Sequence, residues 1–259
     1  MKRHDDLEGK VAVITGGVGQ LGKQYTKALI ANGVKVAAID IKPAPEGFGD
    51  DNEMCKYYLV DITKKAEIEL AAEVIEMELG TPNILINNAA IDSPPGAPGK
   101  DTCRFEDYPE QSLDETYAVN VKGTFLCCQV FGGFMAKHGS GSIINISSIY
   151  AIVSPDMKIY PEGFYKPIGY TVTKAAVLGL TRRLATELAS KNVRVNALIL
   201  GGVFNNQDPA FVKKYCEKVP MGRMANIDDY DGLVLFLASD ASKYITGTGI
   251  IADGGYTAW

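Results

Sequence analysis

Histidine is nearly absent from this 259-residue chain, which carries only His4 and His138, and there is a single tryptophan. His138 follows Met135-Ala136-Lys137 and precedes Gly139, the pattern of a helix C-terminus, where a cation suits the dipole. No constellation of metal-ligand type is present, so no metal is expected. The five cysteines (Cys55, Cys103, Cys127, Cys128 and Cys216) show no CxxC spacing. An odd count with no export signal argues for reduced thiols rather than a disulfide framework. Cys127 and Cys128 sit in an apolar helical pattern and read as small buried side chains. No apolar run is long enough to span a bilayer, which excludes a membrane partner. No block of Lys or Arg stands out and the net charge is −5, which disfavours nucleic acid. The opening Met1-Lys-Arg-His-Asp-Asp has no apolar stretch behind it. No signal peptide is read there, and a cytoplasmic location is expected.

Apolar residues, by contrast, make up 46% of the chain, enough for a large core, and the 27 glycines cluster where tight turns would need them. Short β-branched runs alternate with helical spacing. Strands are expected at Lys10–Thr15, Val34–Asp40, Tyr57–Asp61, Ile84–Asn88, Ser142–Ser147, Val193–Leu200 and Ile250–Ala252. Helices are expected at Leu21–Asn32, Lys64–Leu79, about Leu113–Lys137, Ile168–Ser190 and Ile227–Leu237. Near-continuous apolar strands separated by helices imply a parallel sheet covered on both faces. The expected fold is α/β: a Rossmann-type, doubly wound, seven-stranded parallel sheet in one domain spanning residues 1–259. Substrate-loop insertions are expected at about 92–111, 151–169 and 203–220. Ligands should bind outside the strand C-termini.

The first strand runs into Thr15-Gly16-Gly17-Val18-Gly19-Gln20-Leu21-Gly22. Such glycines let backbone approach a pyrophosphate, and the following helix aims its N–H groups at the charge. A glycine loop alone is weak; its place between a first strand and a first helix is the context that gives it weight. Asp40 closes the second strand. A carboxylate there accepts hydrogen bonds from both adenosine ribose hydroxyls and repels a 2′-phosphate, which favours NAD. Lys42 nearby could receive that phosphate, so NADP stays open.

With these residues in view the chain resembles the short-chain dehydrogenase/reductase family, over nearly all its length. The likeness rests on the Thr15–Gly22 loop, Asp61, Asn87-Asn88-Ala89-Ala90, Asn120 in Val119-Asn-Val-Lys-Gly123 and Ser147-Ser148. It continues through Tyr170-Thr-Val-Thr-Lys174, Val195-Asn-Ala197, Thr246-Gly247 and Asp253-Gly-Gly255. The resemblance implies that Gly16, Gly19, Gln20, Leu21, Asp40, Asp61, Ile62, Asn88, Ala89, Ala90, Gly201 and Val203 bind the cofactor, together with Tyr170 and Lys174. Asp61 would contact the adenine and the Val203 backbone the nicotinamide amide. It implies a homotetramer or dimer through the helices over 113–137 and 168–190. Two departures stand out. The glycine loop reads Gly16-x-x-Gly19-x-x-Gly22, the spacing of the family's extended branch, and Leu200-Gly201 replaces the usual Pro-Gly. The 201–207 run and the Asp92-Ser-Pro-Pro95 turn resemble a bacterial subgroup associated with flagellin and surface-sugar modification.

Tyr170 and Lys174 share one face of the expected helix. A free phenol has a pKa of ~10, and an adjacent ammonium favours the phenolate. Tyr170 can then exchange a proton with a ketone or alcohol oxygen. By resemblance, Ser148 holds that oxygen and Asn120 fixes a water linking Lys174 to solvent. Adjacent strand residues face opposite ways, so only one of Ser147 and Ser148 can serve. The 22 residues from Ser148 to Tyr170 include an insert carrying Lys158, Glu162 and Lys166. Asn205-Asn206-Gln207-Asp208 offers amides past the sixth strand. A polar substrate is expected, a sugar, sugar acid or nucleotide-linked sugar. The competing readings are an NAD-retaining epimerase or dehydratase and a catalytically silent NAD-binding protein.

Overall fold

A computed structural model describes residues 5–49, 53–93 and 99–259. His4 and the prolines of the Asp92–Pro95 turn lie outside the described residues. Seven strands form the sheet: β1 (Val11–Thr15), β2 (Lys35–Asp40), β3 (Cys55–Leu59), β4 (Pro82–Asn87), β5 (Gly141–Ser148), β6 (Val193–Leu200) and β7 (Gly249–Ala252). The helices are α1 (Gln20–Ile30), α2 (Lys65–Glu78), α3 (Glu110–Tyr117), α4 (Thr124–His138), α5 (Ile168–Leu188), α6 (Pro209–Cys216) and α7 (Asp231–Ala238). All strand pairs are parallel, in the order β3-β2-β1-β4-β5-β6-β7. The chain starts mid-sheet, winds outward to β3, then crosses back to β4. The C-terminal ends of β1 and β4 therefore flank the switch point, where such sheets bind ligands.

Strand periodicity explains why both faces are covered. Val11 and Val13 of β1 join Ala37, Ile39, Leu85, Ile143 and Val195 on one face, under α2, α4 and Ala185 of α5. Ala12 and Ile14 join Val36, Ile84, Ile86, Ile144 and Leu198 on the other, under α1 and α7. A third apolar cluster lies above the sheet, between the segment after β5 and α6. Cys127 and Cys128 are buried as expected, and burial pushes the Cys128 thiol up to about 12, so it stays protonated. His138 ends α4, with Gly139 following at φ 74°.

Three departures from the sequence expectation have local causes. The helix expected over 113–137 is interrupted: a π-helical turn, Ala118–Gly123, separates α3 from α4 and carries Asn120. Such turns often mark functional sites. Helix α6 occupies the loop expected over 203–220. Asp208 caps it by accepting from the Ala210 and Phe211 N–H groups, and Pro209 follows at the first helical position. That Asp-Pro pair is a start signal legible in the sequence. The last helix begins at Asp231 rather than Ile227.

Buried amides tie the layers together. Asn87 Nδ2 donates to Asn145 Oδ1 at 2.8 Å, and Asn145 Nδ2 donates to Thr181 Oγ1 at 2.9 Å, linking β4, β5 and α5. Asn145→Ala would leave the Asn87 amide only the weak Cys128 thiol acceptor in a dry interior. We expect a loss of about 1–3 kcal/mol in unfolding free energy, measured by urea denaturation.

Candidate active site

The β1–α1 turn is built around close backbone contacts. A Cβ on Gly16, at φ +65°, would fall 2.9 Å from Ala89 Cα, and one on Gly22 would fall 2.2 Å from Gly16 O. Only glycine fits such a cradle, and the cradle suits a pyrophosphate. Thr15 Oγ1 accepts from the Asn88 and Ala89 N–H groups, and Asn88 Nδ2 donates to the carbonyls of Thr15 and Gly16 at 3.1 Å each. Asn88 thus locks the loop to the end of β4, with exposed Ala90 beyond it.

The other expected cofactor residues lie along the same rim. Asp40 Oδ2 accepts from Val18 N at 3.2 Å, which holds a carboxylate beside the glycine loop. Asp61 follows β3. Burial raises its pKa, but the Thr63 hydroxyl and amide and the Lys64 ammonium more than offset this, and its carboxyl lies below its ordinary value. Ile62 packs inward, since a Cβ on Gly123 would fall 2.7 Å from its Cδ1. Gln20, Leu21, Gly201 and Val203 line one cavity of about 290 Å³ together with Ser148 and Tyr170. Gln20 Nε2 donates to Phe204 O at 3.0 Å, so this departure from the family pattern bridges the glycine loop to the segment after β6.

At the base of that cavity α5 docks on β5. Ser147 Oγ donates to Lys174 O at 2.9 Å, and Lys174 Nζ donates to Ile146 O at 2.8 Å. Ser147 is spent on this join. Ser148 faces the other way: its hydroxyl accepts from Tyr150 N at 3.2 Å, and it lines the same cavity as Tyr170. Lys174 Nζ lies 5.6 Å from the Tyr170 ring centroid. Burial lowers the Lys174 pKa to about 8, partly countered by Asp92. Burial also pushes the Tyr170 phenol well above its ordinary value, reinforced by Asp92 and opposed by Ser148. Desolvation, and not the neighbouring ammonium, sets the direction of the shift. Asn120 is buried, with Oδ1 accepting from Ile91 N at 2.7 Å and Nδ2 donating to Ile91 O and Thr173 Oγ1. It clamps the segment after β4 to α5.

The polar groups around the substrate space differ from those expected. Gln207 turns back on its own loop, accepting from Asn205 N and donating to Val203 O at 2.8 Å. Asp208 is the α6 cap, and Asn206 is exposed at φ 55°. In the insert before α5, Lys158 and Glu162 are exposed while Lys166 is buried. Lys166 pairs with Asp92 across the cavity mouth, donates to Ser93 O at 3.2 Å, and lies 4.7 Å from the Tyr170 ring centroid. Neither Asp92 nor Lys166 had a role assigned from sequence; they are 74 residues apart, and only the fold joins them. Among the described residues there is no cluster of metal-ligating side chains, and no helix is long and apolar enough to cross a membrane.

A family model described as enoyl-(acyl carrier protein) reductase matches residues 17–257. The chain belongs to the short-chain dehydrogenase/reductase family. It is 31% identical to a D-threitol dehydrogenase of Mycolicibacterium smegmatis, covering 97% of this chain and 94% of that protein. It is 32% identical to an NAD-dependent glycerol dehydrogenase of Listeria innocua, covering 97% of this chain and 95% of that one. A short-chain dehydrogenase from Leptospira borgpetersenii, solved with bound NAD+, superposes with a TM-score of 0.86 at 33% identity, over 98% of this chain and 95% of that one. The protein is a nicotinamide-dependent oxidoreductase acting on CH–OH groups.

The depressed Lys174 pKa has a signature in stability. Above about pH 8 the folded state sheds a proton that the unfolded lysine holds until ~10.4, so this group adds stability as pH rises through that window. Buried thiols act in the opposite sense. The difference in unfolding free energy between wild type and Lys174→Met isolates the lysine. It should shift toward wild type from pH 7.5 to 9.5, by up to roughly 1.4 kcal/mol per pH unit. A flat difference in denaturant titrations would show that Lys174 stays charged.

Proposed function

We propose that this chain uses NAD(H) to interconvert a secondary alcohol and a ketone on a polar, polyol- or sugar-like substrate. The observation that carries the reading is that Ser148 and Tyr170 line one cavity together with Gln20 and Leu21 of the glycine loop. A substrate oxygen beside both hydroxyls would accept one hydrogen bond from Ser148 and exchange its proton with Tyr170. In the oxidising direction the O–H proton passes to Tyr170 as the C=O bond forms. Lys174, buried behind the ring, favours the phenolate that begins this direction. Asn120 acts at one remove, holding the segment after β4 against α5.

The glycine cradle and Asp40 fit NAD. Gly16, Gly19, Gln20 and Leu21 would meet the pyrophosphate, Asp40 the adenosine ribose, Asp61 and Ile62 the adenine side. Asn88, Ala89, Ala90, Gly201 and Val203 would border the nicotinamide half. When bound, NAD supplies the acceptor for the hydride that leaves the carbinol carbon. Polyol dehydrogenases among the relatives support a hydroxyl-rich substrate. Exposed Phe125 and Val172, on α4 and α5, support a homo-oligomer built on those helices.

Tyr170→Phe should lower kcat by at least a thousandfold while leaving NADH binding, read by fluorescence titration, within about twofold. Normal turnover would remove the assignment. Asp40→Ser should raise the affinity for NADPH relative to NADH by tenfold or more, because it removes the charge that repels a 2′-phosphate. An unchanged ratio in the same titration would mean that Asp40 does not choose the cofactor.

A further inference from the structure

The Asp92–Lys166 pair is an unusual element in this cavity. The Lys166 side chain is only 4% exposed and that of Asp92 40%, so the ammonium is taken out of water and the carboxylate stays open to the mouth. A buried lone ammonium would be costly, and pairing with Asp92 and Ser93 O offsets that cost. The pair joins the segment after β4 to the residues just before α5, and both residues line the cavity above Tyr170. Of the remaining wall, Gln20 and Gln207 bond backbone carbonyls, and Asn205 offers one further amide on the exposed side. Tyr150 and Tyr160 are hydrogen-bonded to each other at 2.9 Å, Tyr215 accepts from Gly202 N at 2.6 Å, and Phe211 and Met224 are apolar.

We infer that Asp92 and Lys166 form a hydroxyl-reading subsite beside the reacting carbon, which selects an uncharged vicinal diol, or its α-hydroxy ketone, over a sugar acid or an isolated secondary alcohol. This rests on the oxidoreductase reading above and names its substrate class. A hydroxyl both donates and accepts, so it can meet the Asp92 carboxylate and the Lys166 ammonium together. With the ammonium close over the Tyr170 ring, the hydroxyl it meets lies one or two carbons from the reacting one. The pair is neutral overall. A substrate carboxylate drawn to Lys166 would meet the Asp92 carboxylate already there, so a sugar acid is disfavoured. A lone alcohol would cover the pair with hydrocarbon and leave its charged groups without their water, which a site built to bond a hydroxyl penalises strongly. Oxidation of the diol moves one hydride to NAD+ and one proton to Tyr170, giving the hydroxy ketone and NADH, with no further reactant.

The test is steady-state NADH formation from NAD+ with threitol, 2,3-butanediol (all stereoisomers), 2-butanol and gluconate. It is run on wild type, Asp92→Asn and the charge-free pair Asp92→Leu/Lys166→Met, with folding checked by circular dichroism melting. Wild type should prefer 2,3-butanediol to 2-butanol by tenfold or more in kcat/KM and should be slowest on gluconate. Asp92→Asn should lower kcat/KM for the diols at least tenfold more than for 2-butanol, with the extra loss mainly in KM. The double variant should lose the diol preference while still oxidising 2-butanol. Equal losses on diol and monool would make the pair structural and overturn the inference. Gluconate outrunning the diols would overturn it in favour of a carboxylate site. Equal wild-type rates on 2-butanol and 2,3-butanediol would sink the inference alone. No NADH from any alcohol would sink the oxidoreductase reading and the inference with it.

Discussion

The join between α5 and β5 is the constraint on which the site depends. Two hydrogen bonds cross it at one residue: the Lys174 carbonyl accepts from Ser147, and the Lys174 ammonium donates to the Ile146 carbonyl. They fix both the axial position and the rotation of the helix at its second turn. Tyr170, one turn earlier, is then held in the cavity that Ser148 also lines. Alternation along β5 makes this possible, because one serine must bind the helix backbone while its neighbour faces the cavity. A ring placed this way loses water, so its ionisation depends on the charges brought beside it.

Those charges are delivered by packing that has nothing else to do with proton transfer. The residues before α5 are pinned by aromatic contacts: Tyr160 lies 5.2 Å from Phe164 and 5.3 Å from Phe211, and Tyr215 of α6 lies 5.2 Å from Tyr256. This cluster makes the insert a fixed wall and sets the start of α5, where Lys166 turns inward. The opposite wall begins where Asn120 clamps Ile91, next to Asp92. Two anchoring systems, one aromatic and one amide-based, therefore converge on the Asp92–Lys166 pair. The cavity is polar at that point and apolar or internally satisfied over much of the rest.

Much of the layout was legible in the residues themselves. Short, near-continuous, β-branched apolar runs bounded by turn residues read as buried strands, and the parallel sheet follows from the helices between them. The glycine loop was legible because a Cβ at Gly16 or Gly22 has nowhere to go. The break at Ala118–Gly123 was not, since a π-turn is a change in hydrogen bonding that leaves apolar spacing almost intact. Helix α6 was announced by Asp208-Pro209 but is only eight residues long, too short for periodicity to assert itself. Gln207 misled in the opposite way. Composition counts a polar group without showing that its partner is its own backbone.

Local chemistry and spacing were thus enough for the layered fold, the strand–loop–helix cradle with Asp40 after it, and the tyrosine–lysine pair on one helical face. These features depend on residues a few positions apart, where backbone geometry alone sets what can meet. Which serine faces Tyr170, how far burial opposes Lys174, and the meeting of Asp92 with Lys166 were decided by tertiary structure. Each joins segments tens of residues apart, and each turns on how much water is left around a charge. No count of residues along the chain contains that quantity.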